Sequence, residues 1–72
     1  MTMANLYPPD ITELDQKYQK EPTVLNELNL ERAKLEYYRA QHERNPGDKD
    51  LARRISFHES EVVRLEGELK IA

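Results

Sequence analysis

The sequence predicts an all-α fold: an antiparallel coiled-coil helical hairpin, at about 24–44 and 49–69, preceded by a short helix at about 11–20. Three observations predict it. Val24, Leu28, Glu31, Leu35, Tyr38 and His42 recur at spacings of 4, 3, 4, 3, 4, and Leu51, Ile55, His58, Val62, Leu65 and Leu69 repeat the same spacing. That period is a heptad seam, which lets side chains of one helix enter the gaps of another. Between the two stretches, Asn45-Pro46-Gly47-Asp48 is turn chemistry, and a short turn between equal helices folds them antiparallel. Finally, a register in which paired residue numbers add to 93 gives every seam residue a seam partner. The layers are His42 with Leu51, Tyr38 with Ile55, Leu35 with His58, Glu31 with Val62, Leu28 with Leu65, and Val24 with Leu69.

Each element has a local reason. Tyr7-Pro8-Pro9 is stiff and extended, because proline fixes φ and biases its predecessor away from helix. Residues 1–9 therefore read as an N-terminal arm available to grip a neighbour, and 10–72 as one helical-hairpin domain. Asp10 has the form of an N-cap, with Glu13 as its capping-box partner. Ile11, Leu14 and Tyr18 form one stripe of a helix ending near Lys20, too short to be stable unless packed. Glu21-Pro22-Thr23 ends it and starts the second helix, with Thr23 as a candidate cap. That helix runs to Gln41–Arg44, and Asp48 caps the third. Gly67 is expected to fray the end of the third helix.

Flanking charges fit the register in part. Lys34 is expected to face Glu61, and Arg32 to sit between Glu59 and Glu66. Glu27 lies near Glu68, a mild repulsion at the open end. Such exposed pairs contribute only ~0–1 kcal/mol each, so they select register more than they stabilise.

Composition narrows the class. The chain has 72 residues, 35% charged and 38% hydrophobic, with no cysteine, and a mean hydropathy of −0.93. Disulfides and thiolate metal sites are excluded, and aliphatic runs such as Val24-Leu25 and Val62-Val63 are far too short to span a bilayer. A soluble, cytoplasmic protein is the expectation. A core of this size rarely supplies more than about 3–5 kcal/mol, so oligomerisation or docking on another protein is the expected supplement.

The hairpin leaves apolar side chains uncovered. Leu30, Ala33, Tyr37 and Ala40 lie on the second helix roughly opposite the seam, and Phe57, Val63 and Ile71 lie outside the seam of the third. Two ways of covering the Leu30 stripe stand equally open. Ile11, Leu14 and Tyr18 can fold back on it to close a three-helix bundle, or the cover can come from outside, by hairpins associating, for instance as a two-fold four-helix bundle, or by docking on another protein. The interaction face is thus read as Leu30, Ala33, Tyr37 and Ala40 together with Ile11, Leu14 and Tyr18.

Chemistry finds little footing. His42 and His58 belong to layers about seven residues apart, ~10 Å along the helix, too far for one metal. Ser56 and Ser60 lack an oxyanion loop, and two glycines make no phosphate loop. No catalytic residue, metal or cofactor is therefore expected. Glu31 is the only seam carboxylate and lies one layer from His58, so the two are read as a buried polar pair that fixes register. Arg39, Arg44, Lys49, Arg53 and Arg54 surround the turn, where residues 39–54 carry a net +2 against Glu43, Asp48 and Asp50. The function expected is non-catalytic protein–protein interaction, as an assembly factor, adaptor or small inhibitor, with another protein or a second copy as partner. The alternative is a homo-oligomeric RNA- or DNA-binding regulator using the basic tip.

Overall fold

A computed structural model of the chain describes residues 7–71, with the backbone alone for Ile71. It comprises three helices, α1 (Pro9–Lys20), α2 (Val24–Arg44) and α3 (Lys49–Ile71). Most of the anticipated arm, residues 1–6, lies outside the described residues.

Helix α1 starts two residues earlier than the capping box suggested. Pro8 occupies the cap position without a side-chain cap bond, and Asp10 falls inside the first turn. The physical reason is Pro9. Its φ is already helical, and it has no N–H to leave unsatisfied. The Pro8 carbonyl accepts from Ile11 N and Thr12 N, both at 3.1 Å. Asp10 then acts through its charge at the positive end of the helix.

The other caps match the expectation. Thr23 Oγ1 accepts from Asn26 N at 3.1 Å, and Asp48 Oδ1 accepts from Asp50 N and Leu51 N at 3.0 and 3.1 Å. In the turn, Asp48 N donates to the Asn45 carbonyl at 3.0 Å. Asn26 adds a tie the sequence reading missed. Its side-chain amide donates to the Glu21 carbonyl at 2.8 Å, pinning the link between α1 and α2. Helix α3 does not fray at Gly67 but continues to Ile71. Leu65, fully buried, and the Arg32–Glu66 bond at 2.6 Å anchor the chain just before the glycine. One helical glycine costs only ~1 kcal/mol, less than these contacts supply.

Helix α2 packs on both α1 and α3, while α1 and α3 do not touch. The molecule is consequently a plate of 39 × 31 × 17 Å with α2 in the middle. Of the two coverings left open, the intramolecular one is observed, but as an open layer and not a closed three-helix bundle. The geometry follows from α2. Its seam residues and its Leu30 stripe are separated by more than a third of a turn around the axis, so the helices they attract cannot meet. On the seam side the buried residues are Leu28, Glu31, Leu35, Tyr38, His58 and Leu65. Its ends open out, since Val24, His42 and Leu51 are half-buried and Leu69 is 38% exposed. On the other side Leu30 and Ile11 are buried, at 3% and 2% exposure.

Two substitutions gauge this core. A Cβ on Gly67 meets nothing within 4 Å, and the residue has no positive φ. Gly67→Ala is therefore expected to raise unfolding free energy by ~0.5–1 kcal/mol in urea titrations. Leu65→Ala is expected to lower it by about 2–5 kcal/mol, enough to melt much of the domain.

Candidate interaction surfaces and the polar core

Helix α2 turns Glu31 toward α3, where His58 Nδ1–H donates to Glu31 Oε1 at 2.5 Å. The two belong to adjacent seam layers, and their side chains reach across the step. Both are nearly buried, with side-chain exposures of 10% for His58 and 12% for Glu31. Lys34 Nζ lies 3.7 Å from the other carboxylate oxygen. The structure thus brings together the two residues that the sequence placed as a polar pair.

The couple extends into an aromatic network. Tyr38 stacks on His58, with centroids 5.4 Å apart and planes 13° from parallel. The Tyr38 hydroxyl bonds the Tyr7 hydroxyl at 2.7 Å and accepts from Arg54 Nη1 at 3.3 Å. Tyr7 also meets the rings of Tyr37 and Tyr38 edge-on, at 5.6 and 6.0 Å, and Lys34 Nζ sits 5.5 Å above its ring. Tyr7, placed by the sequence in an arm open to a neighbour, is therefore docked on its own chain. A helix of 12 residues is ~18 Å long, which carries its N-terminal flank back to the level of Tyr37 on α2. Among the described residues, no buried side-chain nitrogen or oxygen lacks a hydrogen-bond partner. Burial pushes the Tyr7 phenol well above its ordinary value of 10.0, and the bond to Tyr38 adds to the shift.

The stripe read as an interaction face has a different fate. Ile11 and Leu30 are buried, Leu14, Tyr18, Ala33 and Tyr37 are half-buried, and Ala40 alone is exposed. Helix α1 covers most of this face. A three-residue link holds the Ile11 stripe beside it at high effective concentration, and the pairing needs no second molecule.

The basic tip is also partly engaged. Arg39 Nη2 donates to Glu59 Oε2 at 2.7 Å, Arg54 is bound to Tyr38 and lies over its ring, and Arg53 is 3.3 Å from Asp50. Arg44 and Lys49 are exposed. The expected Lys34–Glu61 pair does not form, because each residue has a nearer partner on its own helix. Lys34 turns to Glu31, and Arg64 holds Glu61 at 2.8 Å, which lowers the Glu61 carboxyl below its usual value. Arg64 also reaches Glu68 at 2.6 Å and Glu27 at 3.7 Å, so the anticipated Glu27–Glu68 repulsion is bridged by a cation.

One surface emerges that the sequence reading did not assemble. On one broad face of the plate, an open groove of about 590 Å³ runs between α2 and α3, lined by Arg32, Leu35, Glu36, Arg39, Glu59, Val62 and Val63. Val63 is 68% exposed at its edge, and Phe57 is 60% exposed elsewhere on α3. The signal for it was present. Arg32 and Arg39 are one heptad apart, as are Glu59 and Glu66, and both ion pairs share one register offset.

No protein-family model, no curated protein and no solved structure matches the chain. What the fold itself defines is a small all-α layer of three helices. No described helix is long and apolar enough to cross a membrane, and no group of three or more His, Cys, Asp or Glu among the described residues is placed to hold a metal ion.

Two outcomes test the polar core. Glu31→Leu or His58→Leu alone strands the other buried polar group and is expected to lower the melting temperature. The double Leu variant is expected to melt at or above the wild type, since well-packed apolar groups can replace a buried pair without loss. Thermal denaturation of the four proteins checks both. Tyr7 supplies a pH effect whose sign is fixed by its raised folded value. Its contribution is complete below about pH 10 and is lost as pH rises toward the folded value. Wild type is therefore expected to lose stability above about pH 10 more steeply than Tyr7→Phe, in urea titrations at stepped pH.

Proposed function

We propose that the chain is a non-catalytic protein–protein interaction module of the cytoplasm, acting as an adaptor, assembly factor or small inhibitor. The observation that carries this reading is the α2–α3 groove. It has an apolar floor of Leu35 and Val62, an exposed Val63 at its edge, alternating Arg32, Glu36 and Arg39 along the α2 rim, and the carboxylate of Glu59 on the α3 rim. Most of the other apolar stripes are covered by the chain's own helices, so exposed Val63 and Phe57 are not the by-product of a missing core. The engagement of Arg39 and Arg54 within the chain supports this reading over a nucleic-acid-binding tip. A chain without cysteine suits a reducing compartment.

The face differs from the one the sequence suggested, and so does the test. Leu30→Asp would bury a charge and unfold the chain, whereas positions 57 and 63 tolerate change. A photo-crosslinking residue at position 63, introduced in the native cell, is expected to give discrete protein adducts. The same residue at exposed Asp15 on α1 is expected to give none. Equal smears at both positions, or no adduct at either, would overturn the proposal.

A further inference from the structure

We propose that the partner of the α2–α3 groove is a second copy of this chain, related by a two-fold axis parallel to the helices. This rests on the reading of the chain as an interaction module and names what the module binds. The argument is one of charge and shape. On the groove face, α2 carries Arg32 and Arg39 while α3 carries Glu66 and Glu59 opposite them, at 2.6 and 2.7 Å. All four side chains remain 42–54% exposed. A guanidinium has five N–H donors in a planar fork, so each arginine has capacity for a second carboxylate.

Two face-to-face arrangements are possible for a pair of hairpins, and the charges separate them. An axis parallel to the helices preserves height along the hairpin and lays α2 of one copy over α3 of the other. Arg32 then meets Glu66 of the second copy and Arg39 meets its Glu59, so each in-chain pair becomes an alternating square of four charges. An axis lying across the helices reverses height instead. It sets Arg32 against Arg39 and Glu59 against Glu66, placing like charges together. The first arrangement closes Val63 and the Leu35–Val62 floor of both copies between the two charge squares. The second is disfavoured by repulsion at both ends, which is how charge pattern chooses orientation in helical assemblies.

The size of the face agrees. Helix α2 has 21 residues, about 30 Å, and two adjacent helices are ~20 Å across, giving about 600 Å² on each partner. Two such faces bury ~1,200 Å² in total, the lower end of stable interfaces, so a reversible, salt-sensitive dimer is the form expected.

The test uses the full chain and two charge-reversed variants. Arg32→Glu with Arg39→Glu makes the groove face uniformly acidic, and Glu59→Arg with Glu66→Arg makes it predominantly basic, with Glu36 the one carboxylate left among its lining residues. The exposed in-chain pairs they remove are weak ones, and circular dichroism monitors helix content. In sedimentation equilibrium over a concentration series, wild type is expected to shift from monomer to dimer mass, with weaker association at high salt. Each variant alone is expected to associate about tenfold or more weakly, and an equimolar mixture to regain a heterodimer. Val63→Arg, a single change at an exposed position, is expected to abolish wild-type dimerisation with helicity intact. A wild type that stays monomeric throughout, variants that dimerise as wild type does, or a mixture that fails to associate would each overturn the second copy as partner. A monomeric wild type that still gives adducts at position 63 would leave the interaction module standing with a different protein in the groove.

Discussion

Helix α2 is one side of both helix–helix contacts, and the rest of the architecture depends on it. It buries Leu28, Leu35 and Tyr38 toward α3 and Leu30 on the side of α1. A helix buried on two flanks holds its neighbours apart at the angle those flanks subtend. That angle makes the molecule a plate 17 Å thick and gives it two broad faces for so few residues. A closed bundle would have consumed the groove face. The open layer leaves it available, so the same constraint that sets the fold also supplies the surface.

The polar core ties the layer together across its width, from helix to helix. Glu31 and His58 join α2 to α3, and Tyr38, stacked on His58, joins both to Tyr7 ahead of α1. Aromatic and hydroxyl groups thereby link three elements of which two never touch. Buried pairs of this kind add little net stability over apolar packing, because desolvation offsets most of the attraction. Their geometry is demanding, however, and a slipped register would leave a carboxylate and an imidazole without partners.

Much of this was legible in the residues. The 4-3 spacing located the hairpin, Thr23 and Asp48 marked two helix starts, and the register placed Arg32 beside Glu66 and Glu31 within reach of His58. Two readings failed for local reasons, and a third was left open. Asp10 has the chemistry of a cap, but the fixed φ of Pro9 suits a first helical turn as well as an extended arm, and the helix starts there. Gly67 looked like a fraying point because propensity was weighed without the burial of Leu65. The cover of the Leu30 stripe stayed open between α1 and a second molecule, because a helical wheel shows that a residue is apolar but not whether the same chain can cover it.

The sequence by itself determined the helices, the caps of α2 and α3, the antiparallel turn and the pairing of α2 with α3, because these follow from periodicity and from contacts near in chain order. Only the tertiary structure decided that α1 stays on its own chain, that α1 and α3 remain apart, and that Tyr7 completes the polar core. It also decided that Arg39 turns to Glu59 and not outward from the tip. Those outcomes depend on angles between flanks and on competition among long side chains for partners. Both are properties of the packed molecule, and neither is written in the spacing of residues along one helix.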